Sequence, residues 1–191
     1  MTVRKQSLFF LALCFPILMT AQKYLSTESP EITHQWKNHT FSSDKTITEN
    51  IEAVPELSFM AKVLEEPTVQ AAIEKEEMVT IFLVSDKMLA TLNKKQKDSI
   101  VGNKRLLSAM AKFVTIPGRI DKNGLEKAIV QHGGTAYLRT LAGEDLAVTQ
   151  EKKQLFLIDS KGRKSPITSF NFYHKKGLFH IVDGLVLPKT E

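Results

Sequence analysis

Gly177-Leu178-Phe179-His180-Ile181-Val182-Asp183-Gly184-Leu185-Val186-Leu187-Pro188, close to the end of the chain, is the stretch whose reading decides the fold. Its apolar residues fall on both parities, so both faces of this strand must be covered. A chain that ends in a strand of this kind has a closed fold, with the last element holding it shut. Pro188 has no N–H to donate, which predicts a strand over Leu178–Leu187 whose pairing stops at the proline. On its own the stretch says core strand and nothing about chemistry.

Working back along the chain, Met78-Val79-Thr80-Ile81-Phe82-Leu83-Val84 is β-branched and apolar and reads as a second buried strand. Helices surround it. Ile47, Ile51 and Val54 lie at helical spacing, and Val54, Leu57, Met60, Ala61 and Leu64 continue the stripe. Pro67 suits the first turn of another helix, which carries Val69, Ala72 and Ile73. Ser85 or Asp86 is expected to cap a helix with Met88, Leu89 and Leu92 inward. Lys94 to Lys112 reads as helix broken near Gly102, with Asn103 capping its second part. Phe113–Ile116 reads as a strand, and a short helix around Leu125–Val130 closes at Gly133-Gly134. Beyond Thr135 the pattern is a meander of Ala136–Leu141, Leu146–Val148, Leu155–Ile158 and Ile167–Phe172, then the terminal strand. Helices first and a meander afterwards predict an α+β domain rather than a doubly wound one.

The first residues do not belong to that domain. Arg4 and Lys5 precede an apolar run from Ser7 to Met19, followed by Thr20-Ala21 and the polar Gln22. This is the pattern of a secretory signal peptide over 1–21, with cleavage after Ala21. Leu11-Ala12-Leu13-Cys14 resembles a lipobox, but Leu13 stands where a small residue is needed and the apolar run continues past it, so lipidation of Cys14 is the lesser alternative. Removing 1–21 lowers the net charge from +5 to +3 and removes the one cysteine. The mature chain then offers no disulfide and no thiol chemistry. Its mild basic bias and export signal argue against nucleic acid as a partner. Residues 22–45 are polar and read as a mobile arm, with Trp36 docking back on the domain; 189–191 are a tail. Asn38-His39-Thr40 matches a glycosylation sequon by pattern alone.

Four segments together resemble one family. Thr80-Ile81-Phe82-Leu83-Val84-Ser85-Asp86 and the helix after it resemble the first signature block of fasciclin domains, and Gly177 to Pro188 resembles the second. Thr140-Leu141-Ala142-Gly143-Glu144-Asp145-Leu146 is similar to the family's Thr-Leu-x-Gly-x-x-Leu hairpin, and Leu106 to Gly118 to its Leu-x-x-Tyr-His-Val-Val-Pro-Gly segment. The resemblance implies a β-sandwich or wedge with helices packed along one edge, spanning 46–188. It makes Thr80, Phe82, Asp86, Gly143, His180, Asp183 and Pro188 structural motif residues. It also implies a non-catalytic adhesion or interaction module with no cofactor. Phe113-Val114 replaces the Tyr-His pair implicated in integrin adhesion in animal members, so that activity does not carry over.

The residues themselves support little chemistry. His180 and Asp183 are three apart on a strand and point to opposite faces, which opposes a shared proton relay. His180 reads as a buried, hydrogen-bonded strand residue and Asp183 as a partner for turn backbone groups. His174 and His180 lack a third metal ligand at sensible spacing. His132-Gly133-Gly134 has no Gly-x-Ser-x-Gly to accompany it. Met60, Met78, Met88 and Met110 read as core filler. Lys152, Lys153, Lys161, Arg163, Lys164, Lys175 and Lys176 crowd the meander's turns, where they form a candidate basic rim for an acidic polysaccharide if the turns share one end. The expected function is exported binding of a cell-surface or matrix protein or polysaccharide through surface loops. Peripheral or lipid-anchored membrane association stays open. The alternative is a carrier of a small, carotenoid-like apolar ligand in a groove between helices and sandwich. The binding residues are expected in the turns around the terminal strand or at Phe113-Val114.

Overall fold

The computed structural model describes residues 30–189, and Glu31 onward forms one compact unit. The signal peptide, Cys14 and the start of the polar arm lie outside the described residues. The rest of that arm is folded. Thr33–Trp36 (β1) and His39–Ser42 (β2) form a hairpin, with Lys37 at φ 53° in the turn. Phe41 is buried and packs edge-on against Phe172 and Phe179, at ring separations of 5.1 and 5.0 Å. Trp36 donates from Nε1 to Ser169 Oγ at 3.2 Å. Two aromatic anchors thus hold a segment that is otherwise polar, which corrects its reading as a mobile arm. Asn50 fastens the hairpin further: its carboxamide accepts the Ser42 N–H and donates to the Ser42 carbonyl.

The helices follow their sequence signals. Ile47–Ile51 (α1) opens on a capping box between Thr46 and Glu49. A 3-10 turn at Pro55–Leu57 leads into Ser58–Leu64 (α2), and Pro67 starts Pro67–Glu74 (α3). Val79–Val84 (β3) is buried along its whole length. Met78, just before it, is 44% exposed and is not core filler; Met60, Met88 and Met110 are buried. Lys87–Ala90 (α4), Lys94–Val101 (α5) and Lys104–Phe113 (α6) follow, with Asn93 and Asn103 capping the last two. Neither Ser85 nor Asp86 caps α4 through its side chain. Asp86 instead reaches back to the start of α2, accepting from Ser58 Oγ at 2.6 Å and the Phe59 N–H at 3.1 Å. The strand expected at Phe113–Ile116 begins two residues later, as Thr115–Pro117 (β4), because Phe113 still completes α6. Asp121 caps Lys122–Gln131 (α7).

The meander comprises Thr135–Arg139 (β5), Asp145–Glu151 (β6), Gln154–Ile158 (β7), Lys164–His174 (β8) and Gly177–Val182 (β9). The sheet order is β4-β3-β9-β8-β7-β6-β5, antiparallel throughout except that β3 and β9 run parallel. β8 is the hinge of the wedge. Its first residues pair with β7, the remainder with β9, and bulges separate Ile167 from Phe172. The Leu141 N–H donates to the Thr115 carbonyl, so the end of β5 returns toward β4 and the sheet nearly closes. α6 packs on β4 and on α2 and α3, while α7 packs on β5 and β6, so helices line the edges where the sheet meets itself. The fold is α+β.

The terminal stretch pairs for six residues, not ten. Asp183 turns its N–H to the Pro166 carbonyl, and Gly184 then passes Ser165 so closely that a Cβ would stand 2.9 Å from Ser165 Oγ. The chain leaves the ladder there, but Val186 and Pro188 stay buried. The apolar run is therefore spent on burial after its pairing ends at Val182. Gly177 opens β9 at φ +139°, where a Cβ would lie 2.1 Å from the Val79 carbonyl oxygen. No residue with a side chain fits that approach between β3 and β9.

Candidate functional site

β3 and β9 carry the titratable groups nearest the sheet centre. His180 is fully buried, 5.3 Å from the Phe82 ring, with Phe170 edge-on. Its Nδ1 accepts the Asn171 N–H at 3.1 Å, so Nε2 is the nitrogen that carries the proton and donates to the Ile120 carbonyl at 2.9 Å. Burial pushes its pKa down to about 4, against the smaller opposing pull of Ile120 and Asp121. Thr80 works beside it, donating to the Gly118 carbonyl and accepting the Ile120 N–H. Asp183 points the other way and accepts from two side chains, Ser85 Oγ and Lys87 Nζ, each at 2.7 Å, rather than from turn backbone. Burial would raise its pKa, but those two bonds hold it below the usual carboxylate range. The His180 ring is thus committed to β8 and to the segment ahead of α7, and the Asp183 carboxylate to Ser85 and Lys87 just after β3, with no hydrogen bond between His180 and Asp183.

An open groove of about 370 Å³ lies on the outer face of the β5–β7 half of the sheet. Register sets Tyr137, Ala147 and Ile158 side by side across three strands. Ala136 and Leu138 point inward, which leaves Tyr137 outward and 69% exposed. Two turns close one end. In the first, Gly143 at φ +77° lets its N–H reach the Thr140 carbonyl, and Glu144 and Asp145 follow it. In the second, Asp159 accepts N–H groups from Lys161, Arg163 and Leu187 and an ion pair from Arg163. Burial opposes its ionisation, but these donors hold its pKa below the ordinary value. Arg139 pairs with Asp145 at 3.3 Å, and Glu144 accepts the Lys189 N–H. The groove therefore joins one bare aromatic ring to a rim of balanced charge and many hydrogen-bonding groups. Among the described residues no three His, Cys, Asp or Glu side chains stand together as a metal site, and no helix is long and apolar enough to cross a membrane.

A family model of the fasciclin domain matches residues 55–188. The chain belongs to the fasciclin-domain family. Fasciclin domains are in general adhesion and interaction modules, typically extracellular and generally without catalysis. Among solved structures, a FAS1 domain pair from the insect cell adhesion molecule Fasciclin I is similar, at 13% identity and a TM-score of 0.60. The match covers 82% of this chain and 66% of that one, and it shows the fold alone. No match was found among curated proteins.

Within this fasciclin domain, Phe113 and Val114 are each 1% exposed. They cannot meet a partner, which removes that region as a binding site. The seven basic residues do not form one rim. Successive turns of an antiparallel meander alternate between its ends, so the turn holding Lys152 and Lys153 is opposite to the one holding Lys161 and Arg163. Three of the seven are also paired within the chain: Arg163 with Asp159, Lys164 with Glu151, and Lys176 with Glu74. Lys152, Lys153, Lys161 and Lys175 make no ion pair among the described residues. Sequence reasoning missed Tyr137. The signal was available: in Ala136-Tyr137-Leu138-Arg139 the large ring shares its parity with the arginine, and therefore the solvent face.

Proposed function

We propose that this chain is an exported, non-catalytic interaction module whose partner is a cell-surface or matrix polysaccharide, held in the groove beside Tyr137. The observation that carries the reading is the exposed ring at the mouth of a groove whose rim is polar and charge-balanced. An aromatic face takes the apolar face of a sugar ring, while carboxylates, Arg139 and Ser160 match its hydroxyls. A flat cationic rim for an acidic polymer is supported less well, because the turn lysines divide between the sheet's ends. Lys189, which lines the groove, and Lys161, next to the groove-lining Ser160, make no ion pair among the described residues and are placed to meet an acidic sugar. The export signal over 1–21 supports an address outside the cytoplasm, and the family's habit agrees with it.

The test is affinity electrophoresis of the chain beginning at Gln22 through gels containing polysaccharide extracted from its native envelope. Tyr137→Ala should weaken retardation about 10-fold or more, since a central aromatic contact is worth ~2 kcal/mol. Lys152→Glu with Lys153→Glu should leave it unchanged. Equal retardation of Tyr137→Ala and the parent chain, or no retardation in any polysaccharide, would overturn the proposal.

A further inference from the structure

The positive charge of the chain is gathered in one place. The segment from Lys94 to Arg105, which spans α5 and the first turn of α6, holds five cations (Lys94, Lys95, Lys97, Lys104 and Arg105) against one carboxylate, Asp98. Its net charge is +4, more than the +3 of the whole chain from Gln22 onward, so the remainder of that chain is net −1. All five cations are exposed, and none makes an ion pair among the described residues. Lys94, Lys95, Lys104 and Arg105 stand in the first turns of two helices that carry no acidic residue there, where the macrodipole disfavours a cation. Stability does not account for that placement. Nor does α5 add much to the core, since Ile100 is its one buried residue and a capping box between Asn93 and Gln96 sets its start. Lys94, Lys97 and Val101 follow at i, i+3 and i+7 on one face of α5, and Val101 is 46% exposed. α5 packs on α6, which packs in turn on α2 and α3.

From this concentrated, unpaired charge with an aliphatic side chain set among it, we infer that the α5–α6 hairpin docks on an anionic phospholipid surface. The cations meet the lipid phosphates, while the lysine methylene stems and Val101 enter the boundary between headgroups and acyl chains. Four of the five cations are lysines, mobile point charges that suit a field of headgroups; bidentate capture of a single anion would call for arginines. The hairpin shares no residue with the Tyr137 groove, so the inference does not rest on the polysaccharide reading.

The probes are vesicles of phosphatidylcholine alone and of phosphatidylcholine mixed with equal phosphatidylglycerol, sedimented with the chain beginning at Gln22. Binding is expected to the mixed vesicles only, and it should disappear between about 0.05 M and about 0.5 M salt. Lys94→Gln with Lys95→Gln and Lys97→Gln should weaken it about 10-fold or more, since each cation at such a surface is worth roughly 5-fold. The urea midpoint of that variant should not fall, because the lysines it removes oppose the macrodipole. Lys152→Gln with Lys153→Gln and Lys175→Gln removes the same charge from the meander's turns and should weaken binding less than about 2-fold. Val101→Ser keeps the charge and should weaken it about 3-fold. Tyr137→Ala should leave it unchanged. The inference is overturned if the mixed vesicles do not bind, if neutral vesicles bind as well, if the two triple variants lose equally, or if Val101→Ser binds as tightly as the parent chain. Retention on heparin without vesicle binding would assign the hairpin to an acidic polymer and overturn it too.

Discussion

His174 and His180 sit six residues apart on consecutive strands, both buried, both with pKa values pushed down to about 4 by that burial. Their surroundings differ in one respect. Both nitrogens of His180 are used, one by Asn171 of β8 and one by Ile120 ahead of α7. His174 has one nitrogen used by its own turn and one facing no partner. Equal burial and equal titration thus hide different hydrogen bonding. A buried histidine whose hydrogen bonds tie separate elements holds the fold together, whereas one bonded only within its own turn fills space without tying elements. Degree of burial alone would have assigned both to the core.

The largest effect is expected in the turn that joins the two histidines. Gly177→Ala places a Cβ 2.1 Å from the Val79 carbonyl oxygen in a backbone conformation that side chains avoid, so β3 and β9 must part. A loss of about 4 kcal/mol or more in urea unfolding, or failure to fold, is expected. A loss under ~1 kcal/mol would show that the parallel pairing does not hold the sheet closed, and with it His180's place in the fold would fall.

The acid response is the next largest, and it treats both rings alike. Above pH 6.5 neither ring binds a proton in the folded or the unfolded chain, so neither contributes. As pH falls below 6.5 the unfolded chain takes up protons that the folded rings refuse until about pH 4. Folded stability is therefore lost across that window, by roughly 2–3 kcal/mol per ring at pH 4.5, and the loss levels off below pH 4. Asp159 and Asp183, held below their ordinary values, add their own loss only at lower pH. Urea midpoints measured from pH 7.5 to 4.5 should fall continuously. A flat profile would mean that neither ring resists protonation in the fold.

Much of this architecture is legible in the sequence, and the failures have physical causes. The helices at Ile47–Leu64 and Lys94–Phe113 show because spaced apolar residues and capping asparagines mark them. The β1–β2 hairpin does not, since His34, Gln35, His39 and Thr40 are polar and only Phe41 and Trp36 fasten it. The terminal stretch reads as too long a strand because apolar content reports burial, and burial continues through Val186 after pairing has ended. Asp86 precedes a helix as a cap would, yet serves α2, which is distant in sequence. The basic rim failed for a topological reason: residue counts around turns say nothing about which end of a meander each turn occupies. Tyr137 was readable from strand parity. The difference between His174 and His180 was not, because their hydrogen-bond partners are set only once the chain is folded.

Urea unfolding of His180→Phe and His174→Phe at pH 7.5, where both rings are neutral, tests the distinction between the two histidines most directly. His180→Phe leaves the part-buried Asn171 N–H and Ile120 carbonyl without the ring that joins them and should cost about 2–4 kcal/mol. His174→Phe gives up one long bond and removes an unpaired buried donor, so its stability should stay within about 1 kcal/mol of the parent chain. Equal losses in the two variants, or a larger loss in His174→Phe, would contradict the account.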